Sequence, residues 1–528
     1  MPSDQKIALV WFRRDLRLQD NEIIGEAAKN CQLLPFFVVD PWFYEQAEVS
    51  TARVKFLFES LENLDLNLKQ KGSRLYLFEG ESIATILELT RRLLNHKQQP
   101  KLYFNRDVQV EYGIDRDRTI IDFYQQHNLE IYLGLNHFMQ ADGENYPNLW
   151  RDYHHYQKKP LHQTPFQINT PNFTLNLPQL DIRELKQKYR SFIEDKSYCF
   201  LGGEHNANKT LDSFISHRYQ GYHWKMSRPW QAQQGATSHL SAHLDFGTIS
   251  SRLVYQRVGE LLKQLPPKSK AQYSLKTFLD RLRWHDKFSQ RHYFHPELAF
   301  RNRYQEFDRW YSDEELAGHK QELFTAWCEG KTGFPLVDGS MRQLNQMGWM
   351  NFRMRAMCVT FLTINCGVSW HHGAKYFMSR LVDGNIAINH WQWQAQAGAT
   401  NPLSKTFRIY NPTKNLQDKD PYLQFVYYWI PELRGQSMQQ ILAREYSSTS
   451  NYPQPILDWQ QTRKTNGKVV AEIRKEIKQR LEQEQGIEYQ QAIGARDTVE
   501  KYWAVKDKQY NNIEPAKSNT DQESNLKL

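Results

Sequence analysis

Several features that mark common protein classes are absent from the sequence. The five cysteines are spread over 528 residues without a CxxC pair, so no disulfide framework, zinc site or iron–sulfur cluster is indicated. No apolar run approaches the roughly 18 residues that span a bilayer, and the N-terminus leads into a strand-like segment rather than a signal peptide. We therefore predict a cytoplasmic protein that binds no metal and enters no membrane.

Two phosphate-binding motifs are missing as well, although the first 135 residues have the pattern of a nucleotide-binding fold. Five short β-branched and aromatic runs alternate with amphipathic helical segments, which predicts a parallel sheet with helices on both faces. The runs lie at 6–12, 33–39, 74–80, 101–106 and 130–135. Neither GxGxxG after the first run nor GxxxxGK[ST] anywhere is present, which excludes an ordinary dinucleotide-binding or P-loop domain.

The rest of the chain divides into three further segments after the α/β domain of residues 1–135. Residues 136–204 contain many Pro, Asn, Gln and His residues and predict an interdomain connection. Residues 205–435 show helical periodicity and predict an all-helical domain. Residues 436–528 are rich in Gln, Lys and Glu, and they predict an extension with one charged helix near 467–484 and a disordered end.

Charge and aromatic content favour a polyanionic partner. The chain has 68 Lys and Arg residues against 59 Asp and Glu residues, a net charge of +9, and 13% of its residues are aromatic. Both features meet in residues 281–303, where Arg283, Lys287 and Arg291 accompany Trp284. Cations can neutralise phosphates while aromatic rings stack on bases, and a solvated helix face is the alternative.

Two other segments carry polar and aromatic side chains in patterns that suit a ligand. The hydroxyl residues of 236–241 precede a predicted helix, where they can hold a phosphate or act as an ordinary N-cap. Further on, Trp391 and Trp393 stand two residues apart among Gln, Asn and His, a pattern typical of a ring-stacking surface. The charged residues of 330–357 and Asp383 fit either a ligand site or a structural salt-bridge network.

Six separated motifs together resemble those of the photolyase/cryptochrome family. They are WFRRDLRLQDN at 11–21, GGE at 202–204, ATSHLS at 236–241, EGKTGFPLVD at 329–338, FMSRLVDGNIAIN at 377–389 and FRIYNP at 407–412. The resemblance covers roughly residues 5–435 in the family's order. It implies an antenna-type α/β domain, followed by a helical domain that holds FAD.

The resemblance also implies which residues bind the cofactor and carry electrons. The FAD diphosphate would be lined by Tyr222, Thr237, Ser238, Leu240 and Ser241. The flavin ring would be flanked by the ion pair of Arg355 and Asp383, with Asn385 nearby and Asn389 facing flavin N5. Trp391 and Trp370 match the inner and middle members of the family's tryptophan electron-transfer chain, and Trp310 and Tyr311 lie near its outer end.

The lesion-binding positions match the family only in part. Trp284 and Trp393 match the two tryptophans that pack against a pyrimidine dimer, but Arg281, Phe352 and Ala356 replace the glutamate, asparagine and methionine of cyclobutane-dimer photolyases. The paired histidines of (6-4) photolyases are absent from the same stretch. If Arg281 pointed into the pocket, it could take over the glutamate's catalytic role of stabilising charge on the lesion.

We predict that Arg281 instead turns outward or forms an ion pair, because a buried charge needs a partner. In the outward orientation it would contact a DNA phosphate, and in the paired one it would meet Asp280 or Asp286.

These observations predict a light-driven FAD flavoprotein, and they favour a monomeric DNA photolyase that splits UV-induced pyrimidine dimers by electron transfer from reduced flavin. The alternative is a cryptochrome-type blue-light photoreceptor that signals to a partner without efficient repair. A light-independent flavin- or nucleic-acid-binding scaffold is the third interpretation. A second chromophore in the α/β domain, folate or deazaflavin, is also expected by resemblance, although Gln109, Glu111 and Tyr112 do not reproduce the folate-binding pattern.

Overall fold

The structure, a computed structural model, describes residues 6–493 apart from 45, 47, 107–109, 137–148, 172–176, 191–199, 405–406 and 446–449. The predicted disordered end of the chain and Gln109 therefore lie outside the described residues. Among the described helices, none is both long enough and apolar enough to cross a membrane.

The α/β domain contains one sheet of five parallel strands in the order β3-β2-β1-β4-β5. The strands are β1 Lys6–Trp11, β2 Cys31–Val39, β3 Tyr76–Glu79, β4 Pro100–Arg106 and β5 Ile131–Leu135. Both faces of the sheet are covered, so the central strand β1 is buried after its first residue. The five predicted strands and the α/β class of this domain are confirmed.

Alternation along β1 assigns its side chains to two separate cores. Ala8 and Val10 pack with helices α1 (Glu22–Ala27) and α3 (Thr51–Gln70) on one face. Ile7, Leu9 and Trp11 pack on the other face with α4 (Ser82–Asn95) and α5 (Glu111–Gln126). A short helix α2 (Pro41–Tyr44) follows β2.

The remainder of the described chain is helical. The connection contains α6 (Leu149–Gln157) and α7 (Ile182–Lys188), and the following helices are α8 Glu204–Ser213, α9 Tyr222–Lys225, α10 Pro229–Gln231, α11 Ser241–Asp245, α12 Ser251–Gln264, α13 Lys270–Phe294, α14 Gly318–Glu329, α15 Pro335–Met347, α16 Phe352–Thr360, α17 Trp370–Met378, α18 Ile386–Gln396, α19 Pro412–Lys419, α20 Gln424–Trp429, α21 Met438–Ala443 and α22 Trp459–Glu484. Helix α18 packs between α17 and α13, and this arrangement positions the candidate site.

Helix α22 is longer and more deeply integrated than the charged helix predicted near 467–484. It begins at Trp459, where the side chain of Asp458 caps the backbone N–H groups of Gln460 and Gln461. Its apolar stripe joins the core that also contains residues of α16 and α17, through Val470, Ile473, Ile477 and Leu481. The helix is therefore part of the helical core rather than a solvated appendage.

Candidate flavin and nucleic-acid site

The 235–241 loop, which precedes α11, is held from one side by Arg218. The Arg218 guanidinium donates hydrogen bonds to the carbonyl oxygens of Gly235, Thr237 and Ser238. The hydroxyl of Thr237 is buried and finds no hydrogen-bond partner among the described residues. Because an unpaired buried hydroxyl is costly, this oxygen suits a ligand that accepts a hydrogen bond, such as a phosphate. Leu240 is fully buried, so only its backbone could contact such a ligand.

A second polar region lies around Tyr222, at the start of α9. The Tyr222 ring is buried against Phe214 and Phe278, and burial raises the pKa of its hydroxyl to about 12. Nearby, the Asn351 amide donates to the carbonyl oxygen of Met226, while Asn351 Oδ1 is buried without a partner in the described part of the chain. Two polar atoms, Thr237 Oγ1 and Asn351 Oδ1, thus have unused bonding capacity in regions that the resemblance assigns to FAD.

The predicted ion pair is formed. Arg355 Nη2 lies 2.9 Å from both carboxylate oxygens of Asp383, and Arg355 Nε donates to the carbonyl oxygen of Met350. Asn389 donates to the carbonyl oxygen of Ala374 in α17, and within the described residues nothing donates to Asn389 Oδ1. The arrangement leaves this oxygen as an acceptor for a ligand.

Asn385 has a structural role in the described chain. Its Oδ1 caps α18 by accepting from the N–H of Ile388, and its Nδ2 donates to Asp245 at 2.9 Å. Asn385 thereby fixes the position of the 383–385 segment, and its contact with the cofactor stays a prediction.

The α/β domain also contacts the segment around Gly384, and sequence analysis did not predict these contacts. Arg53, in the first turn of α3, donates to the carbonyl oxygen of Gly384 and pairs with Asp245 at 3.0 Å. Ser50, which caps α3, donates to the carbonyl oxygen of Leu381. No local sequence signal predicts these contacts, because their partners are more than 190 residues apart.

The two tryptophans of α18 lie on opposite faces of that helix. An α-helix turns about 100° per residue, so residues two apart point about 200° away from each other. Trp393 is 1% exposed and belongs to the core, whereas Trp391 is half-buried and faces α13. The predicted lesion contact of Trp393 is therefore wrong, because a base cannot reach its buried ring. Trp391, predicted as the inner electron carrier, lies outside the core that holds Trp370.

The buried surroundings of Trp393 suit the inner electron-carrier position better. Its ring meets Trp327 and Phe377 at centroid distances of 6.0 and 4.9 Å. The ring also lies directly against Gly373 of α17, where any Cβ would overlap it. Gly373 follows Trp370 by three residues, so the Trp393 ring packs against α17 about one turn from the residue that carries the second indole. Trp370 itself is fully buried and donates from Nε1 to Asn302.

Arg281 does not form either of the predicted ion pairs. Asp280 pairs with Arg283 and Asp286 pairs with His285, while no carboxylate of the described chain lies within ion-pair distance of Arg281. Its guanidinium instead lies 5.0 Å from the ring centroid of Phe352, and its Nε is buried without a hydrogen-bond partner among these residues. Its charge also acts on the buried hydroxyl of Tyr222. Arg281 is therefore directed toward the candidate site.

Further along α13, cationic side chains lie over indole rings. Lys287 Nζ is 4.5 Å from the centroid of Trp284, and the guanidinium carbon of Arg291 is 3.7 Å from that of Trp391. Lys287 is only 8% exposed, and burial followed by the charges of Arg291 and Arg283 lowers its pKa to about 7. Lys287 is thus a buried cation rather than a solvated one, and its contact with a DNA phosphate stays a prediction.

These contacts form a continuous feature, which we name the arginine–aromatic strip. On α13, residues 281, 284 and 291 share one face, and the helix rises about 15 Å from residue 281 to residue 291. Phe352, at the start of α16, contacts one end of this face, and Trp391 of α18 contacts the other. The strip consists of Arg281, Trp284, Arg291, Phe352 and Trp391.

Comparisons with known proteins agree with this geometry. The profile of DNA photolyase matches residues 8–144, and the profile of the FAD binding domain of DNA photolyase matches residues 278–472. A deoxyribodipyrimidine photo-lyase of Synechococcus sp. is 30% identical over 471 residues, which cover 85% of this chain and 93% of that protein. This chain belongs to the photolyase/cryptochrome family.

Two solved structures of the family share the fold. An archaeal photolyase from Sulfolobus tokodaii with two FAD molecules is 26% identical, with a TM-score of 0.72 over 89% of this chain and 100% of that one. A cryptochrome of Synechocystis sp. is 24% identical, with a TM-score of 0.74 over 89% and 100% of the two chains. The predicted antenna-type α/β domain followed by a helical domain is confirmed.

FAD is the cofactor of the family's helical domain, and the residues present here fit it. The buried Thr237 hydroxyl suits the diphosphate, while the Arg355–Asp383 pair and Asn389 Oδ1 offer charge and an acceptor to the flavin ring. The FAD prediction is confirmed by the match to the FAD-binding domain.

A second ligand position is offered by the carboxyl edge of the sheet. Asp40, at the end of β2, accepts hydrogen bonds from the backbone N–H of Trp42, from Ser82 and from the Tyr112 hydroxyl. The rings of Trp42 and Tyr112 stack at a centroid distance of 4.1 Å. Ligands of parallel sheets bind at such edges, and an aromatic pair there can contact a planar chromophore.

Proposed function

We propose that this protein is a DNA photolyase that splits UV-induced pyrimidine dimers in light. The observation that carries the proposal is the position of Arg281. This residue contacts Phe352 of the arginine–aromatic strip and acts electrostatically on Tyr222 of the candidate FAD site. A lesion bound on the strip would therefore lie next to the cofactor, as light-driven electron transfer requires.

The arginine–aromatic strip offers two kinds of contact to a damaged nucleotide: ionic contacts to its phosphates and stacking contacts to its base. Guanidinium groups attract phosphates and stack on rings, while Trp284 and Phe352 offer aromatic surfaces to a base that has left the duplex. Phe352 is 37% exposed, so its ring is accessible. These properties support nucleic acid, and damaged DNA in particular, as the partner of a monomeric enzyme.

FAD bound beside Arg355 and Asp383 would supply the electron that cleaves the two bonds between the pyrimidines. The residues of this chain then have three separate tasks. Arg281 stabilises negative charge that develops on the lesion, because its preplaced N–H donors have no competing carboxylate in the described chain. Trp393 and Trp370 are both buried in the same core, so we assign the inner carrier role to Trp393 in place of Trp391. Trp391 instead belongs to the strip.

The test is light-dependent loss of cyclobutane dimers. The FAD-loaded protein, with its flavin chemically reduced, is mixed with UV-irradiated oligonucleotide and illuminated with blue light, and remaining dimers are counted. We expect loss in light and none in darkness. A parallel assay on a (6-4) photoproduct identifies the lesion class. If neither lesion is lost although the protein retains FAD and binds the DNA, the photolyase proposal is wrong.

The second candidate is a cryptochrome-type photoreceptor that signals to a partner. Phe352, Ala356 and Arg281 favour it, because they replace the asparagine, methionine and glutamate that cyclobutane-dimer photolyases have at these positions. Photoreduction of the flavin, combined with absence of repair and light-dependent binding of a cellular protein, would support this candidate. The Trp42–Tyr112 region further supports a second, light-harvesting chromophore, whose identity extraction and mass spectrometry of the purified protein would reveal.

A further inference from the structure

Arg218 uses its whole guanidinium group to hold the 235–241 loop against α8. A guanidinium carries five N–H donors in a fixed planar fork. All of them are used here, by the hydroxyl of Ser213 and by the carbonyl oxygens of Thr210, Gly235, Thr237 and Ser238. The last three acceptors belong to the loop, so one side chain fixes several of its peptide groups.

The positive charge of Arg218 has no counter-charge in the part of the chain that the structure describes. No carboxylate there lies within ion-pair distance of its guanidinium, and burial lowers the pKa of the group. Taking a cation out of water is costly unless an anion balances it. The resemblance assigns the negatively charged FAD diphosphate to this loop, so bound FAD would supply the missing charge.

The contacts of Arg218 also determine which way the backbone N–H groups of the loop point. The C=O and N–H groups of a trans peptide unit point in opposite directions. Since the carbonyl oxygens of Thr237 and Ser238 face Arg218, the N–H groups of Ser238 and His239 face away from it. Among the described residues, neither N–H has an acceptor, and the buried Thr237 hydroxyl has no partner either. Consecutive residues of the loop thus offer unused donors to a ligand.

The backbone conformation at His239 suits an anion on the face opposite Arg218. His239 has a φ of 55°, which is uncommon for a residue with a Cβ, and Leu240 after it is right-handed with a φ of −94°. Successive N–H groups in such an alternation converge on an anion. The imidazole is held independently, because its Nε2 lies 3.1 Å from the carbonyl oxygen of Ala232 and its ring contacts Trp349.

We infer that Arg218 is a positioning residue for the FAD diphosphate, which it serves from behind the loop. It turns the N–H groups of Ser238 and His239 toward the diphosphate and balances the negative charge across the loop. Because its own donors are all used, Arg218 acts through these peptide groups and makes no hydrogen bond to a phosphate. The inference rests on the assignment of the loop to the diphosphate and goes beyond the proposed repair activity, since any reaction of the bound flavin would depend on it.

The first test is the affinity of the full chain for FAD, measured by flavin fluorescence during reconstitution. Arg218→Met should weaken binding about 10- to 150-fold, the range expected when hydrogen bonds from a charged group are lost. Arg218→Lys should recover part of this loss, because an ammonium keeps the charge but has three donors and no planar fork. Lys209→Met is the matched control. Lys209 is an exposed cation that lines the same surface cavity as Arg218, and this variant should bind FAD like wild type.

The phosphorus NMR spectrum of bound FAD separates positioning from a general loss of structure. At saturating FAD, Arg218→Lys should shift the diphosphate resonances and leave the flavin absorbance spectrum unchanged, because the altered hydrogen bonds lie at the phosphates. Lys209→Met should leave both spectra unchanged. Arg218→Lys also keeps the inference testable if Arg218→Met does not fold.

Two results would overturn the inference: wild-type FAD affinity in Arg218→Met, or diphosphate resonances in Arg218→Lys at their wild-type positions. Thr237→Val distinguishes such a failure from a wrong assignment of the loop. If Thr237→Val weakens FAD binding and the Arg218 variants do not, the inference alone is rejected. If neither change affects FAD, the loop does not hold the diphosphate and the inference falls with that assignment. Neither measurement involves DNA, so both are independent of dimer repair.

Discussion

Arg281 illustrates how one side chain can redirect the chemistry of a site. Its Nε is buried and unpaired in the described chain, and its guanidinium lies against Phe352 rather than against Asp280 or Asp286. A permanently charged donor in this position is preorganised to stabilise an anion, since no nearby carboxylate neutralises it. We therefore expect Arg281 to contribute to repair, in contrast to the outward or paired orientation that the sequence predicted.

The first prediction is that Arg281→Ala lowers the quantum yield of dimer repair about 100-fold, which is typical when a preplaced donor to a developing anion is removed. The affinity for damaged DNA should change by less than about tenfold, because one exposed charge contact is worth little. The measurement is repair per absorbed photon at saturating DNA, beside a binding isotherm. Lys276→Ala is the control, since Lys276 is an exposed cation of the same helix whose side chain meets Gln272. An unchanged yield with strongly reduced binding would make Arg281 a phosphate contact instead.

Gly373 is a second residue whose identity is decisive, here because of the space that its neighbour occupies rather than because of charge. The Trp393 ring occupies the space where a Cβ would stand, so Gly373→Ala overpacks the core. We predict a loss of about 1–3 kcal/mol in the free energy of unfolding, measured by urea titration. Gly259→Ala in α12 is the matched control, since open space lies beside it. This variant should be neutral or stabilise by up to about 1 kcal/mol. Equal effects of both changes would show that the ring does not rest on Gly373.

At the scale of elements, helix α13 carries both the predicted DNA contacts and Lys287, whose protonation changes near neutral pH. Lys287 has a pKa lowered to about 7 by burial and by the charges of Arg291 and Arg283, so it is protonated below neutral pH and neutral above. We predict that DNA affinity falls as pH rises from 6 to 8. The magnitude of the slope of log affinity against log salt should drop by roughly 0.7–0.9 over that range, as one cation is lost.

Lys287→Arg isolates this effect, because arginine remains charged throughout the range. The variant should keep nearly the same salt slope at pH 6 and pH 8. If wild type and variant show the same pH dependence, the titrating group is not Lys287.

Helix α22 provides the second prediction at this scale. Ile473 lies fully inside the core cluster shared with α16 and α17, whereas Lys475, two residues further, is exposed. Ile473→Ala should lower the free energy of unfolding by about 2–5 kcal/mol, the usual cost of a buried cavity. Lys475→Ala should change it by less than about 0.5 kcal/mol. A main unfolding transition unaffected by Ile473→Ala would mean that α22 detaches independently, as a signalling tail would.

At the scale of the whole molecule, the α/β domain helps to shape the flavin site of the helical domain. Arg53 reaches from α3 to the carbonyl oxygen of Gly384, and Asp245 joins Arg53, Arg14 and Asn385. These contacts fix the short segment that carries Asp383. The domain interface is therefore part of the cofactor site, although none of its arginines is assigned to contact FAD.

We predict that Arg53→Met weakens FAD binding about 10-fold, as expected when a hydrogen bond from a charged group that holds a ligand-bearing segment is lost. The measurement is reconstitution of the FAD-free protein followed by absorbance or fluorescence. Lys55→Met on the same helix is the control, because in the part of the chain that the structure describes Lys55 pairs with Glu59 of α3 and with no other carboxylate. If both variants bind FAD like wild type, the interface does not position the flavin segment.

Local patterns were sufficient to predict the secondary structure and the family. Strand and helix periodicity depend on neighbouring residues, so the five strands, their parallel arrangement and the helical region could be derived from sequence, and the separated motifs indicated an FAD protein. The Arg355–Asp383 pair was also predictable, because the resemblance assigns both residues to the flavin ring.

Only the tertiary structure decided which aromatic ring enters the core, which one lies on the surface, and where Arg281 points. Trp391 and Trp393 are chemically identical and two residues apart, and the packing of α18 between α13 and α17 alone distinguishes them. Arg281 turns toward Phe352 because its neighbouring carboxylates already pair with Arg283 and His285. These choices depend on competition among groups distant in sequence, and burial makes that competition decisive because each buried polar group must find its partner within the fold.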